Sequence, residues 1–301
     1  MESNQRDLKF LKGQFPPTST EKVGVRVDKK REGRSLGIEN AMRKKVVIDC
    51  DAGVDDALAL ILAFHSPELE VKAITGVSGN VPLDLVFVNI QKVLSLIQPP
   101  IRPWIAKGAE GPLKGKAVYA YPFHGEDGLG GAEIVRKEGE EHWQIFSGCA
   151  DELIPEMARQ SPGELTLIAI GPLTNLALGF QRDPEGMKKL KEVVIMGGAV
   201  RTRGNITLSA EFNFFVDPLA AKIVLESGLP ITLLPLDVTH QVFLTSTIME
   251  ERIKPIHTPF SEFILQATGY DFLNRRFRLG RKGFHLHDPL AIGTVVHPNL
   301  V

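Results

Sequence analysis

The stretch Asp49-Cys-Asp51-Ala-Gly-Val-Asp55-Asp56 carries four carboxylates between the apolar run Val46-Val-Ile and a helical pattern from Asp55 to His65. In an extended strand Asp49 and Asp51 point to one face. Gly53 permits the turn, and Asp55 and Asp56 fall in the first turn of the helix, where the dipole favours acids. Helix capping accounts for one or two of them. Four converging carboxylates repel one another unless a cation neutralises them. Oxygen donors without cysteine or clustered histidine select Mg²⁺ or Ca²⁺ over zinc. An EF-hand loop is excluded, because its glycine and glutamate positions fall on Val54 and Leu60. A dinucleotide loop is excluded too, since these acids would repel a pyrophosphate. Gly125-Glu-Asp-Gly-Leu-Gly-Gly is glycine-rich but does not join a strand to a helix, which makes it a weak phosphate loop.

The elements that must position these acids follow a βα rhythm. Val46–Cys50, Leu69–Thr75, Leu165–Ile170, Glu192–Met196 and Ile231–Leu236 read as buried strands, the last weakened by Pro235. Leu83–Ile97, Leu173–Phe180 and Asp217–Ser227 read as helices, with Pro218 well placed in a first turn. The alternation predicts an α/β, Rossmann-like, mostly parallel sheet with helices on both faces. Its ligands belong beyond the carboxyl ends of the strands.

With 43% hydrophobic and 24% charged residues and a net charge of −1, the 301-residue chain is neither wholly disordered nor a chain-wide nucleic-acid or membrane surface. Its longest apolar run, Ala57–Phe64, is too short to span a bilayer. Cys50 and Cys149 are its only cysteines, which excludes a disulfide scaffold and a cysteine zinc site. Residues 1–44 hold eleven Lys/Arg against six Asp/Glu and no persistent apolar periodicity, so a disordered basic N-terminal extension is expected. No secretory apolar segment is visible and acids interrupt any transit-peptide pattern, which predicts a cytoplasmic protein.

Seven stretches in order carry a resemblance. Asp49-Cys-Asp-Ala-Gly-Val-Asp-Asp-Ala is similar to the aspartate signature of the inosine–uridine-preferring nucleoside hydrolases. Thr75-Gly-Val-Ser-Gly-Asn80, His124-Gly-Glu-Asp-Gly-Leu-Gly, Gly171-Pro-Leu-Thr-Asn and Met196-Gly-Gly…Gly204-Asn205…Ala210-Glu-Phe-Asn213 follow. Leu236-Asp-Val-Thr-His-Gln and His287-Asp-Pro complete the set, so residues 45–301 resemble a nucleoside hydrolase domain.

The resemblance implies hydrolysis of the N-glycosidic bond of ribonucleosides to free base and ribose, with one Ca²⁺ as cofactor and a role in nucleoside salvage. Its metal ligands would be Asp51, Asp56, the carbonyl of Ile170, and Asp288, with Asp51 as general base for the metal-bound water. Asp55 and Asn213 would hold the 2′ side of the ribose, Asn205 and Glu211 the 5′ hydroxyl, with Asn80 in the supporting shell and Met196 beside the sugar. Glu211 and Asn213, two apart, fit a strand aiming both inward. His287 is the first candidate for protonating the leaving base and His124 its rival. His240 matches a family motif without an assigned role, and His65, His142, His257, His285 and His297 are expected to be structural or exposed. The segment Tyr270 to Phe284, with Phe272, Phe277 and Arg281, would wall the base pocket.

Two departures stand out. The signature's usual proline is Ala52, and the chain ends soon after Asp288, where relatives continue. The domain is therefore expected to lack its usual C-terminal part, leaving apolar surface on the sheet and on a Pro289–Val296 helix uncovered. A homodimer or homotetramer is implied if the domain is complete. Two alternatives stay open. One is a catalytically impaired nucleoside-binding or interaction protein. The other is a haloacid-dehalogenase-like phosphohydrolase, which also opens with Asp-x-Asp after a first strand but does not favour the doubled Asp55-Asp56.

Overall fold

A computed structural model describes residues 43–134, 143–271 and 283–301. The predicted basic extension, apart from Arg43 and Lys44, lies outside the described residues, as do His142, Phe272, Phe277 and Arg281.

Seven strands form one sheet: β1 (Lys44–Cys50), β2 (Leu69–Gly76), β3 (Trp104–Lys107), β4 (Gln144–Cys149), β5 (Leu165–Ala169), β6 (Glu192–Met196) and β7 (Ile231–Leu234). Their order is β4-β3-β2-β1-β5-β6-β7, and every pairing is parallel. A small antiparallel pair, β8 (Phe243–Thr245) with β9 (Gly283–His285), stands apart from it. The central strands β1, β5 and β6 bury consecutive apolar residues because helices cover both faces. One core layer includes Ile48, Leu60, Ile74 and Ile90, and the other includes Val47, Ile154, Leu167 and Leu176.

The order reverses between β1 and β5, so their carboxyl ends open a crevice at the topological switch point. Into it run Asp51 after β1, Asn80 after β2, Ile170 after β5 and Met196 at the end of β6. Strand β7 stops at Leu234 rather than Leu236: Pro235 cannot donate to the ladder and begins the short helix Leu236–Thr239.

The helix His287–Val296 packs on the helix Val54–His65. It buries Leu290, Ala291, Ile292 and Val295, contrary to the expectation that its apolar face is uncovered. This packing brings Asp288 to the acids after β1, although they lie far apart in sequence. Among the described residues, no helix is long and apolar enough to cross a membrane.

Candidate active site

Beyond the strand ends lies a cavity of about 220 Å³. Ten predicted site residues line it: Asp55, Asn80, His124, Ile170, Met196, Asn205, Glu211, Asn213, His287 and Asp288. Asp51 and Asp56 are not among its lining residues but are tied to one of them, Asn80.

The floor is built by a sharp turn after β1. The left-handed residue is Ala52, at φ +39°, and not Gly53, which is extended at φ −81°. Glycine is needed at 53 for another reason. A Cβ there would stand 2.8 Å from His124 Nδ1 and would strike the Asn80 amide. The turn lets the Gly53 N–H donate to Asp56 Oδ2 at 2.8 Å and the Asp51 N–H to Asp56 Oδ1 at 3.1 Å. Asp56 therefore caps its helix, as the bland reading of this acid expected. Asn80 clamps the pair: its main-chain N–H donates to Asp51 Oδ2 at 2.7 Å, and its amide donates to both Asp51 and Asp56 at 3.1 Å.

The acids do not converge as the strand periodicity suggested. Asp49 points away, accepting from Thr75 Oγ1 and, at 2.7 Å, from Asn175 Nδ2. The two-residue alternation stops at Cys50, where β1 ends, so Asp51 is free to turn elsewhere. Asp288 takes the fourth place. One oxygen each from Asp55, Asp56 and Asp288 lie within 4.8 Å of one another, all three residues being buried. Burial holds the carboxyls of Asp51 and Asp288 well above the usual range, reinforced by the neighbouring charges, and burial also raises Asp56. A cluster that resists full ionisation when bare suits a hard dication, which would let all its members ionise. The donor set therefore fits an oxygen-ligated metal, with the Ile170 carbonyl at the cavity edge as a further oxygen.

One wall is a helix N-terminus, not the strand expected at Glu211 and Asn213. Glu211 is 2% exposed and caps the helix Phe212–Val216. Its carboxylate accepts from the Asn213 N–H at 2.8 Å, the Phe214 N–H at 3.1 Å and, across from β6, the Gly198 N–H at 2.9 Å. A carboxylate paired with first-turn N–H groups is better served by a helix than by a strand. Asn213 donates to the carbonyls of Ile170 at 3.0 Å and Met196 at 3.2 Å, joining this wall to the floor. Asn205 Oδ1 accepts from the Phe212 N–H at 2.9 Å.

Four imidazoles, His124, His240, His285 and His287, also line the cavity. His124 Nδ1 accepts from the Val54 N–H at 3.0 Å, which leaves its ring proton on Nε2. His287 Nδ1 lies 2.7 Å from Thr239 Oγ1, and its ring stacks on His285 with centroids 5.4 Å apart. His240 packs against both, at 5.0 and 5.7 Å. Sequence reasoning left His240 without a role and assigned His285 to structure, yet both line the cavity with Phe123, Ile206, Phe212 and Phe284. The alternation His285-x-His287 off the end of β9 was the available signal. His65, His257 and His297 are exposed, as expected.

A sequence profile described as inosine-uridine preferring nucleoside hydrolase matches residues 46–301. The pyrimidine-specific ribonucleoside hydrolase RihA of Salmonella typhi is 39% identical over 260 residues, spanning 86% of this chain and 81% of the relative. Among solved structures, a plant nucleoside hydrolase, PpNRh1, superposes with a TM-score of 0.78 at 33% identity, covering 85% of this chain and 80% of its own. A purine-preferring ribonucleoside hydrolase from Gardnerella vaginalis gives a TM-score of 0.79 at 31% identity, covering 86% and 81%.

Proposed function

The chain belongs to the inosine–uridine-preferring nucleoside hydrolase family, and from that premise we propose that it hydrolyses the N-glycosidic bond of ribonucleosides to free base and ribose in this cavity. The observation that carries the reading is the meeting of buried acids from the turn after β1 and the start of the helix His287–Val296 at one cavity that four histidines also line.

Asp51, Asp56, Asp288 and the Ile170 carbonyl would hold a hard divalent cation, calcium by the family resemblance, which would supply Lewis-acid activation of water when bound. The chain's own groups do the rest. Asp51, fixed by Asn80, takes the proton of the attacking water. Asp55 and Asn213 face the 2′ side of the ribose, and Asn205 and Glu211 the 5′ side. Their fixed dipoles and charge favour the sugar as it becomes oxocarbenium-like. Met196 packs beside the ring. His287 delivers a proton to the departing base. His124 is less suited to that task, because its Nδ1 is committed as an acceptor to the start of the helix Val54–His65.

The test is release of reducing sugar from inosine, uridine, adenosine and cytidine by the folded 301-residue chain with added Ca²⁺, run beside a phosphoester panel. Ribose from at least one nucleoside, lost in Asp51→Ala, is the expected result. Phosphate release without ribose would return the phosphohydrolase reading, and nucleoside binding in calorimetry without turnover would make this a binding protein.

A further inference from the structure

We infer that Thr239 is the positioning residue of the proton donor, fixing the ring of His287 through Nδ1 so that its proton leaves from Nε2 into the cavity. This rests on His287 being the group that protonates the leaving base.

Thr239 ends the short helix Leu236–Thr239 and is 0% exposed. Its hydroxyl lies 2.7 Å from His287 Nδ1, joining residues 48 apart in the chain. An imidazole has only two ring nitrogens, and engaging Nδ1 settles which one serves the cavity that His287 lines. The stack on His285, with an interplanar angle of 29°, and the packing of His240 limit rotation of the ring. The partner's chemistry matters as well. A hydroxyl accepts from Nδ1–H of a protonated ring and donates to Nδ1 of a neutral ring protonated on Nε2. A carboxylate could only accept, and would favour the tautomer whose Nε2 is a base. Thr239 therefore keeps the ring aligned in every state in which Nε2 carries the transferable proton.

The balance is simple. As the C1′–N bond breaks, its electron pair stays with the base, and the Nε2 proton of the His287 imidazolium passes to a base nitrogen or oxygen. The imidazole is left neutral with Nδ1–H donated to Thr239. Water attacking C1′ loses its proton to Asp51, and solvent reprotonates His287.

The 301-residue Thr239→Val and Thr239→Ser variants, with Ca²⁺, are compared with wild type on uridine, inosine and 4-nitrophenyl β-D-ribofuranoside, whose phenolate departs without a proton. Thr239→Val is expected to lose about 10- to 100-fold in kcat on the nucleosides with KM within about threefold, since a misaligned proton donor costs on this order. The loss on the nitrophenyl riboside should be at least about tenfold smaller, and Thr239→Ser should recover most of the nucleoside rate. Long-range ¹H–¹⁵N spectra, with the His287 signals assigned by their loss in His287→Gln, should show altered ring-nitrogen shifts in Thr239→Val and not in Thr239→Ser. Equal losses on both substrate types, no loss, no rescue by serine, or unmoved ring shifts would overturn the inference. His287→Gln separates the two levels. If it spares the nitrophenyl riboside selectively while Thr239→Val does not, the inference alone fails. If it affects both substrates alike, the assignment of His287 fails and the inference with it.

Discussion

Replacing Asp49 by Asn removes a buried charge while keeping its hydrogen bonds. Thr75 and Asn175 both donate to Oδ1, an oxygen that asparagine also has, and Oδ2 has no hydrogen-bond partner. Asp49 is fully buried, and burial, only partly opposed by these two donors, raises its carboxyl from 3.8 to about 7. The folded state thus holds this proton more tightly than the unfolded chain does. The associated stability is fully present below about pH 4 and is lost as the pH rises through about 7. At about 1.4 kcal/mol per pH unit, that displacement corresponds to about 4 kcal/mol. Urea unfolding in chelator at pH 4.5 and pH 8 should therefore show Asp49→Asn within about 1 kcal/mol of wild type in acid. It should be more stable by up to about 4 kcal/mol in alkali, a gap of roughly 6 °C in Tm for a chain of this size. Subtracting the two proteins cancels the titration of the other acids. Parallel pH profiles, or an asparagine variant weaker than wild type at pH 8, would refute the idea that Asp49 is a buried structural carboxyl.

Further outcomes follow from the site itself. Asp51→Ala should lower ribose release by about 10²- to 10⁴-fold, the span of general-base catalysis, with an unchanged far-ultraviolet spectrum. Gly53→Ala should lose activity and about 1–3 kcal/mol of stability by overpacking, because its methyl meets His124 Nδ1 and the Asn80 amide; steady-state kinetics and urea titration check both. Glu211→Gln should cost about 1–2 kcal/mol in urea, since an amide cannot accept on both sides from the Asn213, Phe214 and Gly198 N–H groups. Chelation should abolish ribose release and lower Tm, and added Ca²⁺ should restore both.

The core strands were legible because β1, β5 and β6 each carry consecutive buried apolar residues, Val46–Ile48, Leu167–Ala169 and Val193–Met196, the pattern of a strand covered on both faces. Strand β3 is only Trp104–Lys107, and β4 is a largely exposed edge, so neither carries that signal. The acids at the turn after β1 and in the first turn of the helix Val54–His65 raised the expectation of a cation from their types and spacing alone. Alternation misplaced Asp49, because it holds only within a strand and β1 ends before Asp51. Asp288 and Ile170 came only with the family resemblance, since no local pattern tells that distant segments meet. The wall at Glu211 was misread because glutamate two before asparagine fits a strand as well as a cap. Only the Gly198, Asn213 and Phe214 N–H groups around its carboxylate decide between them. Thr239 was invisible for a related reason: its meaning lies in a contact 48 residues away.

Titration calorimetry of Ca²⁺ into the chelator-treated, refolded chain, in two buffers of different ionisation enthalpy, tests the shared acidic floor most directly. Burial and mutual repulsion raise these carboxyls, and a bound ion acts in the opposite sense, so binding should release protons. One ion per chain with proton release, weakened sharply in Asp56→Asn and in Asp288→Asn alike, is the predicted result. A folded chain that binds no divalent ion, or whose binding is untouched by either substitution, would contradict the account.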